Sequence, residues 1–295
     1  MQKIVPNLWF ADAEEGGRFY ADALPGATSR VTARYPEEGL LDFQREFAGQ
    51  PLTVEVDIDG TRLVLIGAGD QFRPNPSISF MLNFDPSRDS GARERLDEVW
   101  SALADGGEVL MPLGEYPFSP RYGWLSDRYG VSWQLILTDA EGDPRPFVMP
   151  SLLFTDPARP SARAAMEFYT GLIPESEIGM IAPYDDAPDT VMFADFTLAR
   201  QWFTAADSQI THDFTFGYGV SLQIDCADQA EIDRYWEALS SDPEAEQCGW
   251  CRDRFGVSWQ VVPADMEQLT ENPGAYAAMM SMKKIVIAEL RAAAS

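Results

Sequence analysis

One stretch occurs twice in this chain, and it limits the fold more than any other feature. Residues 122–139 read YGWLSDRYGVSWQLILTD, and residues 248–265 read CGWCRDRFGVSWQVVPAD. Ten of the eighteen positions are identical, at a constant offset of 126 and without a gap. The shared core is G-W-x-x-D-R-(Y/F)-G-V-S-W-Q. A chance match of this length, with two tryptophans, is not expected, so the chain reads as a tandem of two related domains. A length of 295 residues agrees with two domains.

Within the first repeat the hydrophobic pattern gives the same order twice. IVPNLWFAD has strand character, and AEEGGRFYADAL has Phe19, Tyr20 and Leu24 on one helical face before Pro25-Gly26 stops it. Strand-like runs follow near residues 28–35, 51–58 and 62–67, the last two joined across Asp59-Gly60, a hairpin signal. SISFMLNFD then reads as a strand, and RERLDEVWSALADGG as a helix. GEVLMPL and the signature stretch supply three more strands, the last two across Tyr129-Gly130. EGDPRP is a linker by composition, after which the pattern restarts. FVMPSLLFTD echoes IVPNLWFAD, and Phe168-Tyr169 echoes Phe19-Tyr20 after five extra residues. The expected divisions are 1–140, 147–265 and a helical C-terminal extension, 266–295. A methionine-rich helix in that extension reads as a docking element.

Composition narrows the function. The formal net charge of −25 gives the wrong sign for nucleic acid and for anionic membranes. No apolar run is long enough to span a bilayer. The first residues, MQKIVPNLWFADAEE, do not read as a signal peptide. Three cysteines are too few for a disulfide framework and suggest a reducing, cytoplasmic setting. Cys248 and Cys251 form C-x-x-C on an expected strand, where they would face opposite sides about 10 Å apart, beyond disulfide reach.

The paired β-rich units, the F-Y near the end of each first helix and G-W-x-x-D-R-(Y/F)-G-V-S-W-Q together resemble the vicinal oxygen chelate superfamily, the glyoxalase, bleomycin-resistance and dioxygenase fold. The PhnB-like branch, also called demethylubiquinone methyltransferase-like, is the nearest in pattern, and the ending MMSMKKIVIAEL is similar to it as well. The resemblance implies an α+β fold of tandem glyoxalase-like domains. Each would be two βαβββ units forming a curved eight-stranded mixed sheet with helices on its convex face. It also implies an intrachain pseudo-dimer and leaves a further homodimer open.

The superfamily's metal-dependent members place ligands on the first, fourth, fifth and eighth strands of each sheet. Here the last-strand Glu aligns with Gln134 and Gln260, the first-strand His with Val5 and Met149, and the fifth-strand His with Ser79 and Gly219. RLVLIG, the fourth strand, has no Glu, and His212 is the sole histidine. Such neutral groups do not hold a divalent ion, so neither a metal nor another cofactor is expected. A methyltransferase activity is not expected either, because no glycine-rich loop follows a first strand in a doubly wound pattern.

Strand alternation then assigns the cleft walls. Asn7, Trp9, Ser79, Met81, Asn83 and Gln134 face the first cleft. Ser151, Leu153, Ser221, Gln223 and Gln260 face the second. Trp124 and Trp250 are candidates for the same walls, and Tyr116 and Phe118 for a cover over the first cleft. Trp133 and Trp259 are assigned to the core, and Asp127 and Asp253 to turn-fixing ion pairs with Arg128 and Arg254. Walls of this kind are neutral and suit a small, mostly apolar ligand. The alternatives are a metal-independent enzyme on the same scaffold and a tandem kept for its assembly.

Overall fold

The computed structural model describes residues 2–156 and 159–294. Four βαβββ-type units follow one another. The first has β1 (Ile4–Phe10), α1 (Ala13–Ala23), β2 (Thr28–Arg34), β3 (Pro51–Ile58) and β4 (Thr61–Gly67). The second has β5 (Ile78–Phe84), α2 (Ala92–Ala104), β6 (Glu108–Tyr116), β7 (Ser119–Ser126) and β8 (Ser132–Leu137). The third has β9 (Val148–Phe154), α3 (Ala162–Leu172), β10 (Glu177–Tyr184), β11 (Ala187–Leu198) and β12 (Gln201–Asp207). The fourth has β13 (Val220–Cys226), α4 (Gln229–Leu239), β14 (Trp250–Arg252) and β15 (Ser258–Pro263). Where the second unit has β6, the fourth has only a 3₁₀ turn, Pro243–Ala245.

Local chemistry sets these elements as the sequence leads one to expect. Asp12 caps α1 by accepting from the Glu15 N–H at 2.9 Å, which satisfies one of the helix's orphan donors. The β3–β4 turn has Asp59 at φ 51° and Gly60 at φ 81°, the left-handed pair that a two-residue hairpin requires.

The pairing of units departs from the expected one. One sheet runs β14-β15-β13-β1-β4-β3-β2 and the other β10-β11-β12-β9-β5-β8-β7-β6. Each sheet therefore joins a unit from one repeat to a unit from the other, rather than the two units of one repeat. The junctions are antiparallel: β1 meets β13 with Asn7 opposite Ser221, and β5 meets β9 with Ser79 opposite Ser151. The first sheet has seven strands rather than eight because nothing replaces β6 as a strand. The repeats present equivalent edges, and that is why an expectation built on chain adjacency chose the wrong partner.

The helical side holds each repeat together. Tyr20 on α1 donates to Asp127 Oδ2 at 2.7 Å, and Trp133 Nε1 donates to the same oxygen at 2.8 Å. Asp127 Oδ1 accepts the Tyr129 and Val131 N–H groups. The second repeat copies this, with Tyr169 and Trp259 donating to Asp253 Oδ2 at 2.6 and 2.8 Å. Asp127 and Asp253 are thus buried hubs and not the expected ion pairs. Arg128 pairs with Asp105 instead, and Arg254 lies over the Phe168 ring at 4.1 Å. Four donors favour each carboxylate while burial pushes its pKa upward. Trp133 and Trp259 are fully buried, as expected for core residues.

The C-terminal extension is not one helix. It divides into α5 (Met266–Thr270), α6 (Pro273–Ser281) and α7 (Ile287–Ala293). Between α6 and α7 the carbonyls of Met282 and Lys283 accept the Cys248 and Gly249 N–H groups at 2.8 and 2.7 Å. This segment occupies the edge of the first sheet where β6 would lie, and Ile285 and Leu290 are fully buried beside it.

Candidate functional site

The exchange of units redistributes the expected cleft residues. Asn7 and Trp9 on β1 share a concave face with Ser221 and Gln223 on β13, Trp250 on β14 and Gln260 on β15. Ser79, Met81 and Asn83 on β5 share the other with Trp124 on β7, Gln134 on β8, and Ser151 and Leu153 on β9. Register puts these side chains on one face of each sheet, and the two groups cross the repeats.

A cavity of about 570 Å³ opens on the first face. Asn7, Trp9, Gln223, Trp250 and Gln260 line it. Trp9 stands edge-on to Phe72, with ring centroids 4.9 Å apart, and to Trp250 at 6.4 Å. Gln260 donates to Ser221 Oγ at 2.9 Å, and Asn7 to Gln223 Oε1 at 3.3 Å. Ser221 is fully buried beneath Gln260 and supports it rather than lining the cavity.

Two parts of the wall carry no signal in strand periodicity. A 3₁₀ turn at Asp42–Phe47 contributes Phe43, Gln44 and Phe47, and the C-terminal helices contribute Met266, Tyr276 and Met280. Gln44 Nε2 donates to the Tyr276 hydroxyl at 3.0 Å and closes the roof. The methionines invited the docking reading, but what they dock on is visible only in three dimensions.

The expectation of neutral walls is corrected here. Glu55, Arg62 and Asp225 line the cavity. Arg62 lies 2.9 Å from Asp225 and 3.6 Å from Glu55. Burial pushes the Asp225 carboxyl above its ordinary range, against the opposing pull of Gln223 and Arg62. Asp225 sits two positions from Gln223 on β13, so extending the alternation by one step reaches it, whereas Glu55 and Arg62 lie on β3 and β4, where no cleft residue was expected.

The second face is built on the same plan with different contacts. Gln134 donates to Ser79 Oγ at 2.7 Å and accepts from the Tyr122 hydroxyl at 2.8 Å. Trp124 Nε1 donates to Ser132 Oγ at 2.7 Å. Asn83 is tied to the Pro146 carbonyl at 2.8 Å, and Met81 is buried. Leu153 is half-buried at the same level. Tyr116 and Phe118 stack at the sheet edge, each edge-on to Tyr122.

Residues at the superfamily's metal positions do not fit a divalent ion. Gln134 and Gln260 make matching bonds to Ser79 and Ser221, so the fifth-strand position in the second repeat is Ser221 and not Gly219. Val64 stands beside Asn7 on the fourth strand. This set offers amides, hydroxyls and an alkyl group, and Asp225 is already held by Arg62 and Gln223. Among the described residues no group of three or more His, Cys, Asp or Glu could hold a metal. Both sheets mix parallel and antiparallel strands and are not doubly wound.

The cysteines are free. Cys248 lies in a turn at φ 51°, ahead of β14 and not on a strand, while Cys251 is buried on β14. His212 sits in the loop before β13, hydrogen-bonded with Ser208 at 2.8 Å.

Two mixed sheets of seven and eight strands built from four βαβββ-type units make this a tandem glyoxalase-like protein. Residues 2–136 and 146–262 both match the family described as 3-demethylubiquinone-9 3-methyltransferase, and the chain belongs to it. The PhnB protein from Bacillus cereus is 33% identical over 46% of this chain and 100% of its own, with a TM-score of 0.39. Glyoxalase I from Zea mays is 13% identical over 91% of this chain and 95% of its own, with a TM-score of 0.50, a likeness of fold alone. No curated protein matches the chain. No helix among the described residues is long and apolar enough to cross a membrane.

Proposed function

We propose that this chain binds a small, largely apolar organic molecule in the cavity of the first sheet. The observation that carries this reading is the roof. A cavity of about 570 Å³ is closed by segments far apart in sequence, Asp42–Phe47 and Met266–Ser281. Its size is that of a drug-like ligand site, and aromatic and methionine side chains around a few polar groups suit such a ligand. In the test, the full chain is screened by thermal shift against a library of aromatic and apolar compounds. Binders are expected to raise the melting temperature of the wild type and not of Trp250→Ala. A screen without a single binder removes the proposal.

A metal-independent reaction in the same cavity is the second reading. Asp225 favours it, as a buried carboxyl that keeps its proton to higher pH than an ordinary one. Mass spectrometry of a bound compound after incubation would separate the two. Conversion that Asp225→Asn abolishes without loss of binding supports chemistry, whereas unchanged compound supports binding alone.

A further inference from the structure

Gln44, in the roof, has a polar atom with nothing to bind. It is 6% exposed and lines the cavity. Its Nε2 faces both the Tyr276 hydroxyl at 3.0 Å and Met280 Sδ at 3.9 Å. A thioether accepts and cannot donate, so the sulfur favours the nitrogen at this end of the amide. The other end, Oε1, is buried without a partner. Such an oxygen has lost its water and gains from any donor a ligand brings.

The charges around the cavity say what kind of donor. Arg62 is the one cation among the lining residues, and Asp225 and Glu55 already hold it. Glu244 and Glu267 also line the cavity, and no ion pair joins either to a cation among the described residues. An anionic ligand would meet carboxylates and no available positive group. A cation meets carboxylates at the rim and the ring faces of Trp9 and Trp250, which attract positive charge, while the Tyr218 ring already carries the Arg252 guanidinium at 4.7 Å. The formal net charge of −25 favours its approach.

We infer that the cavity takes an apolar organic amine, its rings against Trp9 and Trp250 and an N–H donated to Gln44 Oε1. The inference rests on the ligand-binding reading above and names the class of ligand. Four probes of one shape test it by calorimetry on the full chain: naphthylmethylamine, its trimethylammonium analogue, naphthylmethanol and naphthoate. The amine should bind about tenfold more tightly than the trimethylammonium, which lacks a donor, and at least about tenfold more tightly than naphthoate. Gln44→Leu should bring the amine to the level of the trimethylammonium and leave the latter unchanged. Glu267→Gln, at an exposed position, should weaken both cations about twofold. Naphthoate binding as tightly as the amine overturns the inference, as does wild-type protein that treats amine and trimethylammonium alike. These wild-type comparisons stand even if Gln44→Leu fails to fold. Tightest binding of naphthylmethanol overturns the amine while leaving the ligand-binding reading intact. Absence of binding by every probe overturns both.

Discussion

Gln134 and Gln260 occupy the same place in two sheets, and their neighbourhoods have diverged. Each donates to a serine on the adjacent strand, Ser79 or Ser221. Gln134 is further held by the Tyr122 hydroxyl, which β7 presents because β6 extends the sheet beyond it. On the first sheet β14 has three residues, no strand among the described residues corresponds to β6, and the chain's C-terminal segment takes that edge. The same segment roofs the cavity through Tyr276 and Met280. The first sheet thus ends one strand short on this side and carries a helical cover from elsewhere in the sequence. The two halves share their buried hubs and differ in what lies over the corresponding faces.

Four experiments sharpen or break this contrast. The largest effect is expected where the two halves are alike. Asp127→Ala and Asp253→Ala each strand a tyrosine hydroxyl, an indole N–H and two backbone N–H groups in the core. Each should cost about 3–5 kcal/mol in urea unfolding. A hub that costs under about 1 kcal/mol would show that the repeats do not share their frame.

Removal of residues 266–295 should next separate the faces. It takes away the buried Tyr276, Ile285 and Leu290 and unroofs the first cavity alone. A loss of several kcal/mol is expected, on the order of 1.5–3 for each apolar side chain before chain entropy is returned. Ligand binding should vanish. Retained binding would move the site to the second sheet.

Trp250→Ala against Trp124→Ala is the point version of that test. Trp250 lines the cavity, while Trp124 bonds Ser132 on the other face. Binding should fall about tenfold or more for the first and stay within about twofold for the second. Equal losses would erase the distinction between the clefts.

The smallest effect concerns pH. Burial raises the Asp225 carboxyl above its unfolded value. The native state therefore holds this proton more tightly, and the associated stability is present at acid pH and lost as pH rises through the folded pKa. Asp225→Asn should flatten the decline in unfolding free energy above about pH 4. A slope left unchanged would mean that Asp225 ionises as it does in the unfolded chain.

Much of this was legible in the residues. The duplicated signature marked two hairpins, and Asp59-Gly60 marked a third, because turn geometry is local and depends on few side chains. Alternation sorted Trp133 from Gln134 correctly, since neighbouring strand positions face opposite sides. Asp127 was misread, because the nearest opposite charge in sequence is Arg128, whereas its true donors, Tyr20 and Trp133, converge only on folding. Gln44 and Tyr276 carried no signal at all. They lie 232 positions apart and meet in one hydrogen bond.

The sequence by itself determined four similar units, their faces, and the amides that stand where metal-binding relatives carry ligands. Those properties follow from periodicity and residue chemistry, which act over a few positions. Tertiary structure decided which unit joins which, and hence that Asn7 lines a cavity with Gln260 rather than with Gln134. Equivalent strand edges compete on nearly equal terms for the same backbone hydrogen bonds, and only the packed molecule breaks that tie.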